Sequence, residues 1–395
     1  MVLCTKTNHY WPSKAMAMVL LCFVLAACGS RPTTGALEVN LEPAPGAKTH
    51  DILIATTRER DETPGTFFNG ERRDKGMDFA QASNSVPPSH KPGQIEWPDS
   101  APGNPKTDFV TRQAGYIDGD DAFKAKLNAR LAQLPKGKRT VFLFIHGYNT
   151  LFAEGLYRFT QFVHDSDYEG VPVLFTWASR GQLQDYVYDL NSAAIARDSL
   201  ERTIHALVNS NAEEVVVLAH SMGNWLMMET AARIPLKERK HLDGKIKRVI
   251  LAAPDIDIYV FKAQLRRLGK PPNPYLIVVS KDDRALRLSR AIAGGKERVG
   301  AYSDDEELAE LGAIVVDLTE LDSLDGANHS KFAQLAGYAP ELEALFKQKS
   351  ITQHNDAGAL AQTGADLGSF IGCTVQTAVT LPIKIVTAPF GGLSQ

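Results

Sequence analysis

Cysteine is scarce in this chain: four in 395 residues, three of them (Cys4, Cys22 and Cys28) crowded at the N-terminus. Disulfide frameworks and cysteine-ligated metal sites therefore have little to work with. Neither charge sign dominates, with 43 Lys and Arg against 46 Asp and Glu and a formal charge of −3. That balance gives no electrostatic reason to expect a nucleic-acid partner. No apolar run reaches the roughly 20 residues that span a bilayer. The last 22 residues, "TVQTAVTLPIKIVTAPFGGLSQ", are apolar but broken by Pro382 and Pro389. They read as an extended arm that packs on the domain or lies against a membrane surface. What remains is 44% apolar and 23% charged, the balance of a soluble globular protein.

The N-terminus reads as a targeting segment. Lys6 and Lys14 precede a short apolar stretch, "AMAMVLLCFVLAA", that ends at Leu25, Ala26, Ala27 and Cys28. Such a stretch fits a cleaved signal better than a permanent helix, and its end resembles a bacterial lipobox with Cys28 as the lipidated residue. An ordinary secretory signal is the alternative. Gly29, where an aspartate would retain a lipoprotein at the inner membrane, favours the outer membrane facing the periplasm. Removing residues 1–27 takes two lysines away and leaves 41 − 46 = −5, with Cys373 as the one free thiol. The expected layout is a signal peptide over 1–27, a Pro- and Gly-rich tether over 28–48, one domain over 49–347 and a tail over 348–395.

Within the domain the texture changes near Arg139. Residues 49–138 open with a strand-like "DILIATTR" and continue irregularly, with one further strand near Val86. From 139 onward six short runs rich in Val, Ile, Leu and Phe ("RTVFLFIHG", "VPVLFTWAS", "EEVVVLAHS", "IKRVILAAPDID", "PYLIVVSKDD" and "AIVVDLT") alternate mostly with helix-compatible stretches. Continuous apolar strands separated by helices predict an α/β fold: a mostly parallel central sheet flanked by helices.

In such sheets chemistry collects beyond the C-terminal ends of the strands. One run ends in "LAHSMGN", residues 218–224. A nucleophile elbow is a sharp strand-to-helix turn that exposes a serine Oγ and needs small residues two before and two after it. Ala219 and Gly223 satisfy that demand around Ser221, Ala219 with one methyl more than the usual glycine. A serine that merely caps a helix would not need small neighbours on both sides.

"FLFIHGYNT", residues 142–150, supplies the matching oxyanion loop. The backbone N–H of Met222 and that of Tyr148 are the expected donors, with Asn149 as a substitute or a side-chain supplement. Gly147 lets the backbone approach the substrate oxygen, and His146 supports the loop rather than acting as the base. The acid should follow the serine, and "VSKDDRAL" offers Asp282 and Asp283. Asp283 is preferred because Ser280 stands at the small-residue position three before it; Asp255 and Asp257 are in reserve. Of the histidines that follow, His329 lies in a turn after the last strand, whereas His354 lies in the tail. The order Ser221, Asp283, His329 suits this fold. No metal or organic cofactor is required.

"IHGYNTLFAEGLYR", "FTWASRGQLQDYVYDLNSA", "LAHSMGN" and "VSKDDRALRLSR" together resemble a bacterial α/β-hydrolase family of largely unknown physiological function. The early "ATTRERD" and "SVPPSHKPGQIEWP" are similar to its N-terminal part, so the resemblance covers about residues 50–345. It implies the α/β-hydrolase fold and the triad, and little about substrate. Trp177, Arg180, Tyr186 and Asp189 fall in its second motif as pocket or packing residues. Trp177 joins His146, Gly147, Asn149 and His220 in the expected substrate pocket. The resulting expectation is an envelope-anchored serine hydrolase acting on a small-molecule or lipid ester. The alternatives are an amidase or acyltransferase with the same triad, or a non-catalytic scaffold.

Overall fold

A computed structural model describes residues 31–32, 34–269, 271–338 and 383–387. Cys28, Cys373 and His354 lie outside them, as does the signal segment. The expected division into signal, tether, domain and tail can be followed only in its middle part. No helix among the described residues is long and apolar enough to cross a membrane.

The central strands form because their side chains alternate between two buried faces. In β6 (Thr140–Ile145), Val141, Leu143 and Ile145 enter one core while Phe142 and Phe144 enter the other. In β8 (Glu214–His220), Val215, Val217 and Ala219 join the first core and Leu218 the second. A strand apolar on both faces must be covered on both. Helices α1 (Gly119–Gln133), α3 (Tyr186–Ile195), α4 (Arg197–Val208) and α5 (Met222–Arg233) contribute side chains to the first core. Helix α2 (Phe152–Asp165) supplies Phe152, Leu156, Phe159, Phe162 and Val163 to the second.

The other strands are β1 (Lys48–Thr56), β4 (Asp78–Val86), β5 (Val110–Ile117), β7 (Val171–Thr176), β9 (Ile246–Ala252), β10 (Leu276–Val279), β11 (Ile314–Asp317) and β12 (Lys384–Thr387). Together with β6 and β8 they make one ten-stranded sheet in the order β12-β11-β10-β9-β8-β6-β7-β1-β4-β5 among the described residues. From β11 to β1 all neighbours are parallel. β4 and β5 extend the sheet antiparallel at one edge, and β12 at the other. Strands β2 (Arg58–Asp61) and β3 (Phe67–Arg72) form a separate hairpin. The remaining helices are α6 (Leu236–Lys245), α7 (Ile258–Leu268), α8 (Arg284–Ile292) and α9 (Asp305–Glu310).

The α/β-hydrolase fold and its flanked, mostly parallel sheet are as expected. The segment 49–138 is more regular than its sequence suggested: it holds five strands and α1 rather than one strand after the first. Its strands carry polar residues at alternate positions, such as Gln81 and Ser83 in β4, and antiparallel edge strands do not need a continuous apolar run. The tail contributes β12, paired through Ile314 with Thr387 and Asp317 with Lys384. This is the extended-arm reading of that stretch.

Candidate active site

Strand β8 ends at His220, and α5 begins at Met222. Between them Ser221 has φ 52° and ψ −123°, a left-handed conformation costing a non-glycine residue about 1–3 kcal/mol. Its side chain does not cap the helix, which removes the capping explanation for a serine here. The strain is held by hydrogen bonds on both sides. The Ser221 amide donates to the Ala252 carbonyl at 3.0 Å, and its carbonyl accepts from the Asp255 amide at 3.2 Å. Asn224 Nδ2 donates to the carbonyls of Ser221 (3.1 Å) and Ala252 (2.8 Å). The close approach predicted for the small residues is real. A Cβ on Gly223 would stand against the carbonyl oxygens of His146 and Ile145, the latter at 2.8 Å. Ala219 is fully buried in the first core, where a methyl fits.

The candidate acid and base are brought together by the loops that follow β10 and β11. His329 Nδ1 donates to Asp283 Oδ2 at 2.6 Å, while Asp283 Oδ1 accepts from the Leu286 amide at 2.9 Å as the N-cap of α8. Asp283 is fully buried. Burial alone would lower the His329 pKa, but the charge of Asp283 and its hydrogen bond outweigh that and raise it above 6.5. The His329 ring lies 4.6 Å from that of His220, the residue before Ser221. Asp325 fixes the loop, accepting from the amides of Ala327 (2.8 Å), His329 (3.2 Å) and Ser330 (2.7 Å).

Asp282, adjacent to the acid, is no solvated turn carboxylate. It receives Lys331 Nζ at 2.8 Å and 2.9 Å and Asn328 Nδ2 at 2.7 Å, and Lys331 is almost fully buried. Its pKa is lowered: burial pushes it up, and the hydrogen bonds from Lys331 and Ser280 together with the Lys331 charge reverse that. Of the reserve candidates, Asp257 caps α7, accepting from the Tyr259 amide at 2.8 Å. Asp255 is buried with Ser289 Oγ (2.5 Å), Tyr186 Oη (3.2 Å) and Arg298 Nε (3.2 Å) around its carboxylate.

The oxyanion loop follows β6. Met222 opens α5, so its amide has no intrahelical acceptor. The Tyr148 amide makes no hydrogen bond among the described residues, whereas the Asn149 amide donates to Asp189 Oδ2 at 3.0 Å. That engages the Asn149 amide, one of the two roles expected for Asn149, and leaves its side chain as the supplement. Gly147 faces Ser221 directly, and a Cβ there would come within 2.7 Å of the serine Cβ and 3.0 Å of His220 Nδ1.

Two residues assigned to the pocket, His146 and Trp177, have other work. His146 and Trp177 are buried and stacked 4.9 Å apart, and His146 Nε2 meets Thr176 Oγ1 at 2.9 Å and the Trp177 amide at 3.1 Å. Burial, reinforced by the nearby Arg58 charge, drops His146 to about 3, so it is a neutral brace beneath the loop. The His220 ring stacks on Phe332 at 4.0 Å, forming a floor beside His329, and burial holds its pKa well below 6.5.

Behind the loop lies a network only partly visible in the sequence. Asp189 is buried and accepts from Ser179 Oγ (2.6 Å) and the Arg180 amide (3.2 Å) as well as Asn149. Arg58, from the hairpin, is fully buried and donates to carbonyls of Asn69 (3.0 Å), Ser179 (2.9 Å) and Thr150 (2.7 Å) and to Thr176 Oγ1 (2.8 Å). Burial lowers its pKa to about 10, which keeps it charged at neutral pH. Arg180 instead pairs at the surface with Glu71 at 2.8 Å and lies over the Tyr188 ring. Arg58, Asn224, Asp325 and Lys331 were missed. The one available signal was Asp325, four residues before His329 in a turn-forming sequence.

A parallel sheet with a strained serine after one strand, and a buried aspartate and a histidine paired after later ones, defines the α/β-hydrolase class. Residues 120–346 match the family described as "Alpha/beta hydrolase of unknown function (DUF900)", and the chain belongs to that family. No curated protein sequence matches it. Among solved structures it is similar to one from an analysis of two fungal esterases from Rhizomucor miehei. That match has 12% identity and a TM-score of 0.30, covering 87% of this chain and 94% of that one. It is also similar to esterase B from Lactobacillus rhamnosis, solved with a C4-C4 SN3 tributyrin phosphonate. Here identity is 9% and the TM-score 0.33, covering 87% and 97%.

Proposed function

We propose that this chain is a serine hydrolase that cleaves carboxylic esters or thioesters through an acyl-enzyme. The observation that carries the reading is the 2.6 Å bond from His329 Nδ1 to Asp283, beside a serine held at φ 52°. A serine hydroxyl is a weak nucleophile until a base accepts its proton. Asp283 accepts a hydrogen bond from Nδ1–H of His329, which fixes the tautomer that leaves Nε2 free to take the serine proton. Ser221 Oγ adds to the substrate carbonyl as its proton passes to Nε2. The amides of Met222 and Tyr148 receive the oxyanion, typically the largest electrostatic contribution to such catalysis. The intermediate collapses, the leaving alcohol or thiol takes the proton from Nε2, and Ser221 keeps the acyl group. Water, deprotonated by the same nitrogen, then releases the acid and restores the serine.

Signal cleavage and lipidation at Cys28 would anchor the enzyme in the cell envelope, at the outer membrane facing the periplasm. Residues 28–48 would then serve as the tether to a domain ending near 347. The substrate class is a small-molecule or lipid ester. Exposed Leu183, Val187, Leu288 and Ile292, on and beside the helices that carry Tyr186 and Ser289, support an apolar component.

The test is labelling by a fluorophosphonate probe together with turnover of short-chain p-nitrophenyl esters. Both are expected for the native protein and neither for Ser221→Ala. Labelling that survives the substitution overturns the serine assignment, and a folded native protein showing neither activity favours the scaffold. A diacylglyceryl group on Cys28, read by mass spectrometry, tests the anchor.

A further inference from the structure

At the opposite end of the sheet from Ser221, three histidines gather from separate parts of the chain. His50 comes from the start of β1, His90 from the turn after β4, and His164 from the last turn of α2, where Asp165 ends the helix. One ligand atom each from His90, His164 and Asp165 lies within 4.8 Å of those of the other two. His90 Nε2 and Asp165 Oδ1 are 2.8 Å apart.

What distinguishes this cluster from a chance meeting of polar groups is the state of its outward atoms. His90 Nδ1 is bonded to Glu96 Oε2 at 2.7 Å. Asp165 Oδ2 accepts from the Gly93 amide at 2.7 Å and from Gln161 Nε2 at 2.5 Å. His164 Nδ1 shares a hydrogen bond of 3.0 Å with His50 Nε2. Each residue has one atom secured by an outer partner, and the inward atoms of His90 and Asp165 are bonded to each other across the space a cation would take. A histidine that binds a metal characteristically has its second nitrogen held in this way, by a carboxylate above all.

We infer that His90 Nε2, His164 Nε2 and Asp165 Oδ1 form a binding site for a divalent transition cation, zinc first among them. Glu96, His50, Gln161 and Gly93 are its outer partners. Two imidazoles and one carboxylate suit zinc, whereas calcium and magnesium prefer six or more oxygen ligands. A water would complete the tetrahedron. Binding displaces the proton shared by His90 and Asp165 to solvent, and their atoms must separate by a few tenths of an ångström to reach bonds of about 2.0–2.2 Å. The site lies apart from the reacting groups, so its effect is structural. It fastens the turn that carries His90, upstream of the family-matched residues 120–346, to the end of α2.

The experiment uses untagged full-length protein, stripped with a chelator and dialysed against zinc. One zinc per chain is expected, with a higher melting temperature, and cobalt in its place should show the intense visible bands of a four-coordinate ion. His164→Ala should weaken binding by at least ~100-fold. Glu96→Gln, which keeps all three ligands, should weaken it about 10- to 100-fold and remains informative if the first variant folds poorly. His205→Ala, in the more exposed Glu201, His205 and Glu238 group, should leave binding unchanged, as should Ser221→Ala. Absence of zinc uptake at micromolar concentration, or uptake unaltered in both His164→Ala and Glu96→Gln, overturns the inference. Loss of uptake in His205→Ala overturns it too.

Discussion

Gly147 stands against Ser221 with no room for a side chain: a Cβ at 147 would fall 2.7 Å from the serine Cβ and 3.1 Å from the His220 carbonyl. The oxyanion loop and the nucleophile turn are therefore set against each other backbone to side chain. Gly147→Ala must push one of them away. A shift near 1 Å costs about 10²-fold in rate, so kcat/KM for a p-nitrophenyl ester should fall by at least that, with the far-ultraviolet circular dichroism unchanged.

The backbone conformation of Ser221 suits glycine better than any residue with a Cβ. Ser221→Gly should abolish esterase activity while raising the unfolding free energy by about 1 kcal/mol relative to Ser221→Ala. Urea melts of the two inactive variants measure that difference. Equal stabilities would mean that the turn carries no strain.

Asp282 and Asp283 are adjacent and should respond to the same change in opposite ways. Asp283→Asn leaves a side chain of the same shape but favours the wrong tautomer of His329, and kcat should fall about 10⁴-fold with little loss of stability. Asp282→Asn removes the charge opposite buried Lys331, which keeps the carbonyls of Leu318 and Thr319, and should destabilise by about 1–3 kcal/mol. Its remaining activity should be within tenfold of native at a temperature where it is folded.

His329 must be neutral to accept the serine proton. Because Asp283 raises its pKa above 6.5, kcat/KM should rise with pH along a limb whose midpoint lies above that value. Asp283→Asn should move the midpoint down. A limb centred below 6.5 in the native protein would contradict this pairing.

Asp189 holds the Asn149 amide, next to the Tyr148 amide proposed as an oxyanion donor. Asp189→Asn should lower kcat towards the ~10²-fold cost of losing one oxyanion donor. KM should change little. A purely structural role would change the melting temperature without this division between kcat and KM.

The residues legible in the sequence were those whose chemistry demands a local signature. Ser221 requires small neighbours on both sides, and Asp283 and His329 each follow an apolar strand in chain order. Arg58 had no such signature. Its role is set by carbonyls of Asn69, Thr150 and Ser179, up to 121 residues away, which only the folded chain assembles. Trp177 was left open between pocket and packing for a related reason. An aromatic beside a site motif serves equally as lining or as support, and its complete burial against His146 decides for support. The strand expected near Val86 is β4, whereas in β5 the alternation with polar residues hid the edge strand of the main sheet, because edge pairing relies on backbone bonds more than on apolar runs.

β12 is four residues long and far from any reacting group, but it occupies the outer hydrogen-bonding edge of β11. Without it, the amides and carbonyls on that side of Ile314–Asp317 would form an open template for a like edge on another molecule. β12 itself becomes the sheet's own edge, but a four-residue strand that carries the exposed Lys384 is a poorer template than β11. A chain cut short before Lys384 keeps every proposed catalytic group and loses its protection against self-association.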